Sequence, residues 1–343
     1  MAYTDIDKPT DYFNTKLYTG NGSTQSISSV GFQPDWIWLK DRDNAYSHQL
    51  VDVVRGNTKY LNSNETASEG TASNRVTSFD SDGFSLGSYI GTNKSSSNVV
   101  SWNWLASNTT ASNTDGSITS TVSASTVSGF SIVSYTGTGS NATVGHGLGA
   151  IPKIVIIKNR DRASGWHVGG DAIGSVNQYL NLNDTNAIDS AGTGFQSFSS
   201  TTFGIGSDTD WNASGESIIA YCFAEKKGFS KFGSYTGNGN ANGTFIYTGF
   251  KPAFVLFKRT SSTSNWSLFD NKRNTFNITD SYLQADTSST EQEFSDIYVD
   301  FLSNGIKQRG TNISLNSSGA SYIYMAFAEN PFVTSTGIPT VAR

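Results

Sequence analysis

One pattern constrains this fold more than any other: a proline, one free position, four consecutive apolar residues, then a lysine, written three times. The copies are Pro34-Asp35-Trp36-Ile37-Trp38-Leu39-Lys40, Pro152-Lys153-Ile154-Val155-Ile156-Ile157-Lys158 and Pro252-Ala253-Phe254-Val255-Leu256-Phe257-Lys258. Side chains alternate faces along a strand, so four apolar residues in a row require both faces to be dry. The run is too short for a helix and rich in β-branched and aromatic residues, which selects a strand. Proline has no amide donor and marks the strand's entry. The lysine is expected where the chain returns to water. Three copies of one buried central strand imply three copies of one module, each enclosing its own core.

Other motifs recur in step. Tyr18-Thr19-Gly20-Asn21-Gly22, Tyr135-Thr136-Gly137-Thr138-Gly139 and Tyr235-Thr236-Gly237-Asn238-Gly239 open the modules. Their spacing is roughly a hundred residues, with an insertion between the first two. Gly-x-Gly after a strand reads as a turn with positive φ. A phosphate cradle would need a third glycine and a following amphipathic helix, and neither is present. Ser81-Asp82-Gly83-Phe84 and Ser303-Asn304-Gly305-Ile306 read as tight hairpins, whereas module two has Thr201-Thr202-Phe203-Gly204. Each module closes on an apolar strand, at Val99 to Trp104, Ile218 to Phe223 and Ile323 to Phe327.

Roughly seven short strands per module, punctuated by regular turn signals, is the pattern of a β-sandwich. The fold expected is all-β, with three tandem β-sandwich modules of jelly-roll or lectin-like type. They divide the chain into an arm (1–14), module one (15–106), a linker with a possible added strand (107–128), module two (129–227), module three (228–332) and a tail (333–343). The arm either caps module one or docks to a partner.

Composition narrows the function. Only 15% of the 343 residues are charged, the net charge is −5, and basic pairs such as Lys226-Lys227 are isolated, so no nucleic-acid footprint is present. An aromatic content of 13% belongs to a folded chain. Cys222 stands alone, which excludes an intrachain disulfide or a thiol metal cluster. The opening residues lack a signal-peptide layout, and no apolar run approaches the ~18 residues of a membrane span. The expectation is a protein made in a host cytoplasm without an export label or membrane insertion. Its polar, uncharged surface nevertheless suits an exterior adhesive or structural protein, and a virus particle reconciles the two.

Candidate chemistry is sparse. His48, Trp166 and Trp266 share one position in the three modules, and His167 follows Trp166. One reading packs them at a strand rim. The other makes them a ligand platform, because aromatic faces beside Asp, Asn and Gln suit sugar rings with an apolar face and hydroxyl edges. No Gly-x-Ser-x-Gly elbow or His-Glu-x-x-His helix occurs. His146 reads as a turn residue, and Asp80-x-Asp82-Gly83 as a hairpin rather than a calcium loop. Asp41, Asp43 and Asp161 follow their central strands, but module three has Arg259 and Ser261 there, so a shared acid pair for glycan hydrolysis fails. Those acids are expected as solvated strand-end charges. No catalytic residue, metal site or cofactor is expected.

Taken together, Tyr-Thr-Gly-Asn-Gly, the strand ending in Lys158-Asn159-Arg160-Asp161, Ser81-Asp82-Gly83-Phe84, Ala220-Tyr221-Cys222-Phe223-Ala224-Glu225 and Ala326-Phe327-Ala328-Glu329-Asn330-Pro331-Phe332 resemble a known repeat module. It is abundant in predicted virion structural and tail-fibre-like proteins of marine bacteriophages, of cyanophage and pelagiphage type. The resemblance spans nearly the whole chain and departs in module two at its hairpin and at Trp166-His167-Val168-Gly169-Gly170. It implies a virion component with other virion proteins as partners and no catalytic residues to carry over. The expected function is a tail or fibre protein, a homo-oligomer with a trimer favoured, touching host-surface glycan. The alternative is a head-decoration or fibre-base protein docked through its termini. A glycan depolymerase is the least favoured reading.

Overall fold

A computed structural model describes residues 3–340; the first two residues of the expected arm and the last three of the tail lie outside the described residues. The chain is all-β, and one arrangement of strands occurs three times. In module two a sheet runs Phe130–Thr136, Ser217–Phe223, Ile154–Asn159, Trp166–Gly169, Gln178–Asn181, Asp189–Ser190, and a three-stranded sheet runs Ala142–Gly145, Thr202–Ile205, Phe195–Phe198. Module three repeats both orders, from Ser230–Thr236 to Gln292–Glu293 and with Phe245–Tyr247, Gly305–Gln308, Val299–Leu302. In module one the large sheet runs Phe13–Thr19, Asn98–Trp104, Trp36–Asp41, Gln49–Asp52 and continues across a Leu50–Leu61 bridge. The 107–128 insertion forms a hairpin, Ala111–Asn113 with Ser120–Ser125, that extends the module-two sheet beyond Phe130–Thr136.

The central strands lie where the sequence places them, between two neighbours and buried along their length. In module three the strand Phe250–Arg259 runs through Pro252, with register shifts on either side that absorb the missing donor.

The two dry faces serve different cores. Ile37 and Leu39 pack into module one, Val155 and Ile157 into module two, Val255 and Phe257 into module three. The alternate residues, Trp36 and Trp38, Ile154 and Ile156, Phe254 and Leu256, all enter one further core shared by the three modules. This corrects the expectation that each module encloses only its own interior. A run of four apolar residues reports two dry faces and is silent on what dries the second.

Equivalent aromatics on the inner strands meet in that shared core. Phe327 has its ring centroid 5.6 Å from Trp104 and 5.9 Å from Phe223, its counterparts in modules one and two. Trp36 stacks on Tyr221 at 4.4 Å, binding module one to module two. Such ring pairs add roughly 0.5–1.5 kcal/mol each beyond the area they bury. The arm seals this core rather than capping module one alone. Ile6 is buried in it, and the Asp5 amide and Thr4 hydroxyl donate to the carbonyl of Lys227 at the junction of modules two and three.

The repeated Gly-x-Gly has a structural task. A short helical turn in each module ends on an asparagine, Asn93, Asn212 or Asn316. The Asn212 side chain accepts from the Thr138 amide and donates to Gly206 O, and its carbonyl accepts from the Gly139 amide. Asn93 and Asn316 make the same contacts. Gly137 passes so close that a Cβ would lie 2.2 Å from Ala213 O, whereas Gly139 has φ +73°. Only the second glycine needs positive φ; the first is needed for close approach.

Candidate functional site

The residues singled out by sequence lie at the seams between modules. Trp166 Nε1 donates to Asn62 O of module one at 2.9 Å, and Trp266 Nε1 donates to Asn181 O of module two at 2.8 Å. His48 Nε2 lies 2.9 Å from Gln284 O of module three. Asn62, Asn181 and Gln284 are themselves equivalent, so module two sits on one, three on two, and one on three: a closed ring. All three rings are buried, and His48 Nδ1 accepts from Trp38 Nε1. Burial, with Lys40 nearby, holds His48 well below the usual histidine range, so it is neutral. His167 is also buried, stacked on Trp211 at 4.6 Å and 3.3 Å from Asp210. The ligand-platform expectation for His48, Trp166, His167 and Trp266 is therefore corrected. Their faces are covered by protein and offer nothing to a sugar.

The strand-end lysines also differ from expectation. Lys40, Lys158 and Lys258 are completely buried. Each lies on the shared-core side and turns its ammonium onto main-chain carbonyls: Asp41 and Asn44 for Lys40, Thr66, Asn159 and Arg162 for Lys158, Thr185 and Arg259 for Lys258. Thr66 and Thr185 belong to the preceding module, so two of these lysines bridge seams. Burial lowers each lysine to about 8.

Among the described residues, two seams carry a buried arginine–carboxylate cluster and the third has apolar or neutral residues at the equivalent positions. Between modules one and two, Arg55 pairs with Asp52 at 2.5 Å and Glu69 at 3.2 Å, Tyr221 donates to Asp52, and Arg160 binds Glu69. Between modules three and one, Arg273 pairs with Asp270 and Glu291, Trp102 donates to Asp270, and Arg42 binds Glu291. At the remaining seam the counterparts are Gly170, Ile173, Ile188, Met325 and Thr260. The backbone register is unchanged, since Ile188 N donates to Thr260 O as Glu69 N does to Arg160 O.

The strand-end acids are amide caps. Asp43, Asp161 and Ser261 each accept from the first amide of the inner strand, at Asn98, Ser217 and Ser321. A hydroxyl serves as well as a carboxylate because the position needs an acceptor. Asp41, expected in solvent, is buried and accepts from the Asp43 and Asn44 amides and the Ser97 hydroxyl. Asp80 is held by Ser78 and Ser85, and His146 Nδ1 accepts from the Leu148 amide as a turn residue. Cys222 is a buried apolar residue whose thiol is pushed up by burial. Among the described residues no group of three or more His, Cys, Asp or Glu could hold a metal ion.

A different surface has the features of a site. A cavity of about 350 Å³ opens where the arm, the junction of modules two and three, and the tail meet, rimmed by Tyr3, Tyr247 and Phe332. The two tyrosines are 62% and 60% exposed, which places them at its mouth. Glu225 and Lys231 line it as an ion pair at 2.7 Å. The arm and tail are clasped by Asp7, which accepts from the Ser335 amide at 2.6 Å and from the Ser335 hydroxyl. Sequence reasoning missed this cavity because its walls bring Tyr3, Phe332 and Val333, from near the two ends of the chain, onto residues 225–249. The one local signal is Phe245-Ile246-Tyr247, a strand with aromatics on its exposed face.

Fold and seams define an all-β protein of three β-sandwich modules closed around a common aromatic core. The chain belongs to the family described as Domain of unknown function (DUF7483), whose model matches residues 8–331. Among curated proteins nothing matches it.

Proposed function

We propose that this chain is a bacteriophage virion structural protein, a tail or fibre component that contacts host-surface glycan. The observation that carries the reading is the closed ring of three modules: one chain builds a rigid, pseudo-threefold block, the symmetry on which fibres are commonly organised. Its polar, weakly charged surface supports an exterior setting. So does the resemblance of its repeats to virion modules. The recurrent acids at strand ends serve as amide caps, which favours structural and binding roles over glycan hydrolysis.

Gold-labelled antibody against the purified chain, applied to intact particles, tests the proposal. Label on tails or fibres is expected. Particles without label overturn the virion assignment, and label confined to heads replaces the fibre role with head decoration.

A further inference from the structure

We infer that the cavity framed by Tyr3, Tyr247 and Phe332 is a saccharide-binding site for a neutral pyranose; this rests on the adhesive reading above and gives it a location. The volume of about 350 Å³ lies at the small end of ligand pockets, which suits one or two sugar rings. Exposed aromatic rings converge on it from three separate segments: the arm, an edge strand and the end of module three's last strand. Isolated surface aromatics need no explanation, but three around one concavity form a surface that a flat, apolar ligand face would cover.

The polar lining narrows the ligand. Glu225 and Lys231 form an ion pair on one wall and Lys227 also lines the cavity, so hydrogen-bond donors and acceptors flank the aromatic rim. Thr248 also lines the cavity, its hydroxyl donating to Phe250 O and accepting from the Phe250 amide. A pyranose offers what this combination requires, C–H bonds on one face and hydroxyls around its edge. A purely apolar ligand would leave the Glu225–Lys231 pair desolvated without new partners.

The walls are set in place before any ligand arrives. Tyr3 packs against Gly337, where a Cβ would come within 3.3 Å of its ring. The Asp7–Ser335 clasp fixes the tail that follows Phe332, whose amide donates to Gly249 O beside Tyr247. A rigid rim lowers the ordering cost of binding.

Saturation-transfer-difference NMR on the full chain, with the methyl glycosides of glucose, galactose, mannose and N-acetylglucosamine and methyl β-cellobioside, tests this. Transfer to ring C–H protons of at least one probe is expected. Tyr247→Ala should weaken that binding about ten-fold or more, as for an aromatic anchor. Tyr247→Phe should retain it, and both variants should keep the parent melting temperature. Tyr3→Ala provides a second probe of the rim. Binding that survives both alanine variants overturns the site while leaving glycan adhesion standing. Absence of transfer for every probe overturns the site and removes neutral-sugar adhesion from the proposed function, leaving the virion assignment to the antibody experiment.

Discussion

Trp166 of module two donates its indole N–H to the carbonyl of Asn62 in module one, with its ring wholly buried at the seam. Replacing Trp166 by Phe keeps a ring but leaves that carbonyl only its longer bond from the Glu65 amide, so a loss of about 1 kcal/mol is expected. Trp166→Ala also empties the site and should cost about 3–5 kcal/mol. Urea titration followed by circular dichroism measures both. A loss below about 1 kcal/mol for the alanine variant would contradict the fully packed seam.

Arg55 is the second test of a seam. Arg55→Ile leaves Asp52 and Glu69 without their buried partner, and about 3–5 kcal/mol should be lost. The seam between modules two and three, which lacks this ion cluster, shows how the whole cluster can be dispensed with. Adding Asp52→Ala, Glu69→Ile, Arg160→Thr and Tyr221→Phe to Arg55→Ile should therefore recover much of the loss, because buried ion clusters are often replaceable as a set. A combined variant less stable than the single one would refute that equivalence.

Gly137 and Gly139 separate two reasons for glycine. Gly137→Ala drives a methyl group onto Ala213 O, a backbone atom, and about 1–3 kcal/mol should be lost. Gly139→Ala meets its nearest neighbour at 3.3 Å and bears mainly the left-handed φ, for about 1 kcal/mol. The same order is expected at Gly237 and Gly239, read by the same denaturation assay.

The buried lysines set a pH signature. Their pKa falls to about 8 on folding, from an unfolded value of 10.5. Below pH 8 both states are protonated and the full penalty of burying charge applies. Between about 8 and 10.5 the unfolded chain binds more protons, so stability rises with pH. The half-buried Tyr18 and the buried Tyr135 and Tyr235, raised by burial, reverse the trend above about pH 10, where only the unfolded chain ionises. A melting temperature that climbs from pH 7.5 to 9.5 is expected, with the slope reduced in Lys158→Met. A flat profile would show that the carbonyl cages hold the ammonium charged.

Sequence pattern revealed the central strands because Trp36 to Leu39 and their copies force two dry faces. It did not reveal the common core, since Trp36 drying against Tyr221 of another module looks the same in one dimension as drying against its own. Lys40, Lys158 and Lys258 are legible as a repeat, but lysine is so rarely buried that in sequence its position reads as a boundary with water. The seam role of His48, Trp166 and Trp266 was hidden for a related reason. Their partners are main-chain carbonyls, which carry no residue signature. Tyr3 and Phe332 reach one cavity only after the chain has closed upon itself.

That closure has a consequence for chain order. A linear array has first and last repeats that need special capping surfaces; here every copy has a neighbour on both sides, so none is terminal. Opening the backbone at the Glu225-Lys226-Lys227-Gly228 junction and joining the old ends by a flexible bridge should yield a permuted chain that still folds. An excised single copy, with its Trp or His edge bare, should not.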